Sequence, residues 1–284
     1  MRQKRIAAIH DISGIGKCAL TVALPIVSAA GIECAVIPTA VLSTHTGGFK
    51  DFYFNDLTSA MLPISEHWHK EGFEFDAIYS GYLGSKEQID ILKTCIDKLK
   101  TKSTLVVVDP VMGDNGRLYQ TFSPEFPFKM RELCLNADVI TPNVTEACLL
   151  TNEEYLAPPY TKEYIKNLLL KLSQICLGTV VLTGAVLSEG EQGAAAYNKK
   201  EDKIYFASGP KISGMYHGTG DIFASVFVSS MVLGNDIQKS LKNAVDFTCM
   251  AIKNTEQNRP ELWYGVNFEG VLPKLYKMLG DKNA

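Results

Sequence analysis

The chain has 284 residues, enough to bury a substantial core in one α/β domain. Its 46% hydrophobic and 21% charged residues are those of a soluble globular protein, and a net charge of -3 gives no cationic footprint for nucleic acid or an anionic membrane, so a small molecule is the expected partner. No apolar run reaches the roughly 20 residues of a bilayer span, the amino terminus lacks a signal-peptide pattern, and the seven cysteines are scattered without a Cys-x-x-Cys pair, which predicts a cytoplasmic protein with reduced thiols.

From the amino terminus, short apolar runs alternate with segments of helical periodicity. Strands are expected at 5–10, 34–41, 75–80, 104–109, 138–141 and 179–183, with helices at 16–30, 55–71, 86–100, 124–135, 143–151 and 161–176 between them. This alternation predicts right-handed crossovers and a doubly wound, mostly parallel sheet. Residues 193–197 and 204–207 flank the polar Asn198-Lys199-Lys200-Glu201-Asp202 and predict an antiparallel hairpin at the sheet edge; helices at 219–234, 236–254 and 268–279 close the chain. No repeat or linker interrupts the pattern, so residues 1–284 are expected to form a single domain. Ser43-Thr44-His45-Thr46-Gly47-Gly48-Phe49, followed by Asp51-Phe52-Tyr53-Phe54, fits neither element and suits a flap over a site or an interface edge.

In an open parallel sheet, ligands bind outside the carboxyl ends of the strands. "HDISGIGKCAL" follows the first strand and satisfies the dinucleotide pattern through Gly14, Gly16 and Ala19. The acidic residue that should close the second strand is instead Glu33, which opens it. As a phosphate-binding P-loop the stretch also fails, with Asp11 where the first glycine belongs and Cys18 where Ser or Thr should hold Mg²⁺. "VVVDPVMGDNGRLY" places Asp109 at a strand end with Asp114 close by, a pair suited to a divalent cation or to an ordinary Asp/Gly-rich turn. Asn143 and Glu146 share one face of a first helical turn, either pointing into the crevice or forming a capping box. The sharpest feature is "HGTGDIF". Gly218, Thr219 and Gly220 free backbone amides at a helix start, where the dipole favours an anion, and Asp221 beside them can accept a proton from a hydroxyl that attacks a bound phosphoryl group.

Taken together, Asp109-Pro110-Val111 with Gly113-Asp114, Thr141-Pro142-Asn143 with Glu146, Thr183-Gly184 and Gly218-Thr219-Gly220-Asp221 resemble the ribokinase-like superfamily in order and spacing over nearly the whole chain. Within it, "STHTGGF", "SGYLG" and "VVVDPVMGDNGRLY" are most similar to the vitamin B6 (pyridoxal, pyridoxine, pyridoxamine) kinases. The hydroxymethylpyrimidine kinases of thiamin synthesis are the alternative: their "SDPSGGAG" loop resembles "HDISGIGKCAL", although "STHTGG" lacks the Gln they commonly carry there.

The resemblance implies a three-layer α/β/α sandwich with a small flap near 42–54, and ATP-dependent phosphorylation of a hydroxymethyl group. It makes Asp221 the catalytic base and Gly218, Thr219 and Gly220 the anion hole. Asp114, Tyr119, Asn143 and Thr183 would lie against the nucleotide. Asp109 and Glu146 would hold Mg²⁺ or a monovalent cation such as K⁺. Thr46 and Tyr82, with Asp11 or Ser13, would line the ring pocket, and the protein would be a homodimer. An NAD-dependent oxidoreductase and a non-catalytic ligand-binding protein are the remote alternatives.

Overall fold

The computed structural model describes residues 2–214, 216–259 and 261–280. One sheet contains nine strands: β1 (Arg5–Ile15), β2 (Glu33–Thr44), β3 (Phe54–Asp56), β4 (Ala77–Ser80), β5 (Leu105–Val108), β8 (Val139–Ile140), β9 (Thr179–Thr183), β10 (Glu191–Asn198) and β11 (Lys203–Pro210). A separate ribbon pairs β6 (Gly113–Asp114) with β7 (Arg117–Leu118). The sheet order is β11-β10-β9-β8-β5-β4-β1-β2-β3, parallel from β2 to β9, with the hairpin β10–β11 and the short β3 antiparallel at the two edges. This is the expected α/β architecture.

The parallel strands read as unbroken apolar runs because both faces are covered. In β5, Val106 and Val108 pack on one side and Val107 on the other, and β9 repeats the division with Val180 and Leu182 against Val181. On the first side lie α2 (Thr58–Lys70), α3 (Lys86–Leu99), α4 (Phe126–Cys134), α5 (Val144–Thr151) and α6 (Lys162–Leu172). On the second lie α1 (Leu20–Ala29), α7 (Thr219–Val232), α8 (Ile237–Asn258) and α9 (Leu272–Gly280).

Strand order reverses at β1, whose neighbours are β2 on one side and β4 on the other, so the crevice at the carboxyl ends opens there. Glu33 indeed opens β2, at the opposite edge, where it pairs with Arg5 at 2.8 Å.

The main departure from expectation is at the first loop. β1 does not stop at His10 but runs on to Ile15, because β2 continues beside it through the pairs Ile12–Val41, Ser13–Leu42 and Ile15–Thr44. Gly14 is therefore a strand residue rather than part of a tight turn. The turn falls at 16–19, where Lys17 and Ala19 adopt φ of 56° and 53°, and α1 starts only at Leu20. Lys17, inside the helix expected at 16–30, is instead a loop residue that pairs with Glu269 and lies over the Phe268 ring at 5.3 Å. Elsewhere the helix predicted at 161–176 ends at Leu172 and passes into a 3-10 turn, and α8 continues to Asn258. The flap is the loop between the projecting end of β2 and β3, closed by the pair Leu42–Phe54.

Candidate active site

A cavity of about 780 Å³ crosses the carboxyl ends of the sheet, and every site residue expected from the sequence lines it. Volumes of this order suit a sizeable ligand. On the β2 side the walls are Asp11 and Ser13 from β1, Thr46 from the flap and Tyr82 after β4. Toward β9 they are Asp109, Asp114, Tyr119, Asn143, Glu146 and Thr183. Gly218, Thr219, Gly220 and Asp221 lie at the start of α7.

Gly218 occupies the N-cap position of α7, with a φ of 80° that only glycine adopts cheaply, and no side chain bonds the helix start. The first intrahelical bond runs from the Ile222 N–H to the Gly218 carbonyl at 3.0 Å, so the amides of Thr219, Gly220 and Asp221 are not used by the helix. Asp221 is half-buried among them. Burial pushes its carboxyl up to about 6, against the opposing pull of the Ala19 amide. Asp11 accepts from the Ser13 hydroxyl at 3.1 Å, and burial together with the Asp221 charge pushes it up to about 7. The left-handed residues at 17 and 19 thus serve α7: one delivers the Ala19 N–H to Asp221, the other places the Lys17 carbonyl against Gly218. Strain of this kind costs about 1–3 kcal/mol per residue and persists where the surroundings enforce it.

The second acidic group is Asp109 with Glu146. The capping box at α5 is real: Asn143 Oδ1 accepts from the Glu146 N–H at 2.9 Å, and Glu146 Oε2 accepts from the Asn143 N–H at 2.8 Å. Both residues nevertheless line the cavity, so capping and site coexist. Glu146 Oε1 also accepts from the Met112 N–H at 3.1 Å, and Asn143 Nδ2 donates to the Gly113 carbonyl at 2.9 Å, which anchors the β6–β7 ribbon and with it Asp114 and Tyr119. Burial raises the Asp109 carboxyl, helped by the Asp221 charge, and raises Glu146 well above the usual range, helped by Asp109. Ionising this pair therefore opposes folding: stability is complete below the unfolded carboxylate range and falls as pH rises through it. We expect Asp109→Asn to melt several degrees above wild type at pH 8, with the difference vanishing near pH 4, as followed by thermal denaturation across that range. Equal melting temperatures at pH 8 would show that the charge is not repelled.

His45, noted in the flap segment but given no role there, and His217 stand near the flap, whereas Gln192, Val245, Thr248, Cys249 and Ile252, which form the far end, were not singled out from the sequence. The α8 members recur at i, i+3, i+4 and i+7, a stripe indistinguishable in sequence from core packing. Five carboxylates line the cavity (Asp11, Asp109, Asp114, Glu146 and Asp221), and among the described lining residues there is no Lys or Arg.

An α/β sheet of this order, with uncapped amides and a carboxylate converging at the start of α7, defines a ribokinase-like small-molecule kinase. A family model described as phosphomethylpyrimidine kinase matches residues 24–262. The chain belongs to that family. It is 30% identical over 189 residues to the hydroxymethylpyrimidine/phosphomethylpyrimidine kinase of Aquifex aeolicus, covering 66% of this chain and 71% of that protein. The crystal structure of a putative phosphomethylpyrimidine kinase from Bacteroides thetaiotaomicron, in a form with pyridoxal, superposes with a TM-score of 0.91 at 40% identity, covering 96% of each chain. Pyridoxal kinase from Lactobacillus plantarum gives 0.89 at 30% identity over 100% of both chains.

Proposed function

We propose that this chain is an ATP-dependent kinase of vitamin B6, transferring the γ-phosphoryl group of ATP to the 5'-hydroxymethyl oxygen of pyridoxal, pyridoxine or pyridoxamine. One observation carries the reading: Asp221 sits at the uncapped start of α7, in a cavity of about 780 Å³ lined both by the β2-side residues Asp11, Thr46 and Tyr82 and by the β9-side residues Asn143 and Thr183. The 40% identical Bacteroides protein with pyridoxal supports the choice of acceptor.

In this reading the amides of Thr219 and Gly220, with Gly218, hold the transferring phosphoryl group, and Asp221 takes the hydroxyl proton as the bond to phosphorus forms. Catalysis rests on positioning and charge neutralisation. Asp11 or Ser13, Thr46 and Tyr82 orient the ring; Asp114, Tyr119, Asn143 and Thr183 contact the nucleotide. The donor set fits a cation, because phosphates brought into a cavity with five carboxylates and no basic side chain need positive charge to accompany them. Asp109 and Glu146 would hold Mg²⁺, or K⁺ beside it, and its chemistry would be to neutralise the phosphate oxygens. Among the described residues no three His, Cys, Asp or Glu side chains form a self-contained metal site, which suits a cation that shares its coordination with the nucleotide. The reading also makes residues 1–284 a single catalytic domain, a homodimer and a cytoplasmic protein. Among the described residues no helix is long and apolar enough to cross a membrane.

The test is a coupled spectrophotometric assay with MgATP and each of pyridoxal, pyridoxine, pyridoxamine and hydroxymethylpyrimidine. The B6 vitamers are expected to give the highest kcat/KM. Preference for the pyrimidine would move the chain to the thiamin pathway, and no turnover with any acceptor would remove the assignment. Because the base must be ionised, kcat should rise with pH through about 6, the value to which burial pushes Asp221. A profile flat from pH 5 to 8 would remove Asp221 from that step.

A further inference from the structure

The flap over the acceptor end of the cavity is hydrogen-bonded to the carboxyl-terminal part of the chain through His45. His45 Nδ1 accepts the Gly47 N–H at 3.0 Å, and His45 Nε2 lies 2.7 Å from the Tyr264 carbonyl, 219 residues away in sequence. A carbonyl can only accept, so Nε2 carries the proton, and Nδ1, which accepts, cannot. The two bonds together demand the neutral ring in one tautomer. Burial, with His217 nearby, keeps the ring below the ordinary histidine range against the pull of the Tyr264 carbonyl.

The packing around this ring is built from rings filling the space left by absent side chains. A Cβ on Gly16 would stand 2.1 Å from His45, one on Gly47 would stand 2.8 Å from His217, and one on Gly48 would stand 2.9 Å from Trp263. Phe49 packs edge-on to His45 at 5.0 Å and against Trp263 at 4.8 Å. The motif "STHTGG" is thereby accounted for beyond Thr46: its histidine fastens the loop, and its glycines admit the rings that the loop rests on.

We propose that His45 is a positioning residue that latches the flap to the 263–265 loop, and that this latch, by fixing Thr46 over the ring pocket, sets affinity for the hydroxymethyl acceptor without setting affinity for the nucleotide. Thr46 is held between His45 and Gly47, both ends of the His45 Nδ1 bond, so its place in the cavity wall depends on that bond. The nucleotide end lies across the sheet on β9, β10 and α8. The acceptor part of the inference rests on the function proposed above; the latch itself does not.

His45→Phe keeps a ring of similar size and loses both hydrogen bonds, whereas His45→Gln keeps a side chain able to donate and accept. In steady-state assays His45→Phe should raise the acceptor KM about tenfold or more, the scale of one or two lost hydrogen bonds, and leave the ATP KM within about twofold; His45→Gln should recover much of the loss. Trp263→Ala, which removes the platform under Gly48, should act in the same direction and add little to His45→Phe. Hydrogen exchange of residues 45–50, measured without ligands, should be faster in His45→Phe than in wild type. Unchanged exchange overturns the latch. Faster exchange with an unchanged acceptor KM, or with an equal rise in both KM values, overturns its selective effect on the acceptor. Faster exchange in an enzyme that turns over none of the proposed acceptors would leave the latch standing and sink the proposed function instead.

Discussion

Asp221→Asn should lower kcat by about 10²–10⁴, the range of a lost general base, while the protein folds as wild type. The isosteric amide still occupies the first turn of α7 and still accepts a hydrogen bond from the Ala19 amide, so the left-handed turn at 17–19 has no reason to rearrange. It cannot take a proton. The ATP KM should change little, because the α7 amides proposed to hold the phosphoryl group are backbone atoms. Thermal stability at neutral pH should hold or rise, since a carboxyl held at about 6 by burial gives its ionised form less stability folded than unfolded. A kcat within a fewfold of wild type, with pure and folded protein, would assign the proton to another group. Asp11 is the carboxylate to examine next, pushed up to about 7 beside Asp221.

The sheet and the strand-end residues were legible in the sequence because both rest on strong local signals. Val106, Val107 and Val108, like Val180 to Leu182, are short β-branched and apolar runs suited to doubly buried strands, and polar residues directly after such strands fall at one edge of a parallel sheet. Other parts depended on partners distant in the chain. Strand β1 passes His10 because β2 extends alongside it, and nothing in Asp11-Ile12-Ser13-Gly14-Ile15 announces a strand by itself. The left-handed turn at Lys17 and Ala19 is held by Gly218 and Asp221, about two hundred residues on. The α8 end of the cavity was hidden for a different reason: Val245, Cys249 and Ile252 on α8 carry the periodicity of a core stripe, and only the open space against them distinguishes a pocket from a core. His45 was visible within the flap segment, but its meaning lies in the Tyr264 carbonyl.

Gly218→Ala should be as damaging as loss of the base, and for a purely steric reason. At φ 80° an added Cβ would stand 2.0 Å from the Lys17 carbonyl oxygen, a backbone atom that cannot rotate away. Relief requires either that α7 lift from the turn at 16–19 or that the turn retreat, and the turn is already in left-handed backbone. Either movement displaces the Thr219 and Gly220 amides relative to Asp221 and Asp11. A misplacement of about 1 Å can cost about a hundredfold in rate, so kcat should fall by at least about that factor. The left-handed strain alone, about 1–3 kcal/mol, should lower the melting temperature by several degrees. Gly220→Ala is the control. Its backbone is not left-handed, and nothing stands within 4 Å of the added Cβ, so the fold should be unaffected. Activity should nevertheless fall, because that open space is cavity and the methyl group narrows the place proposed for the phosphoryl group. A stable, fully active Gly218→Ala would mean that α7 and the first loop are not held in register by this contact; a fully active Gly220→Ala would place the phosphoryl group elsewhere along the cavity.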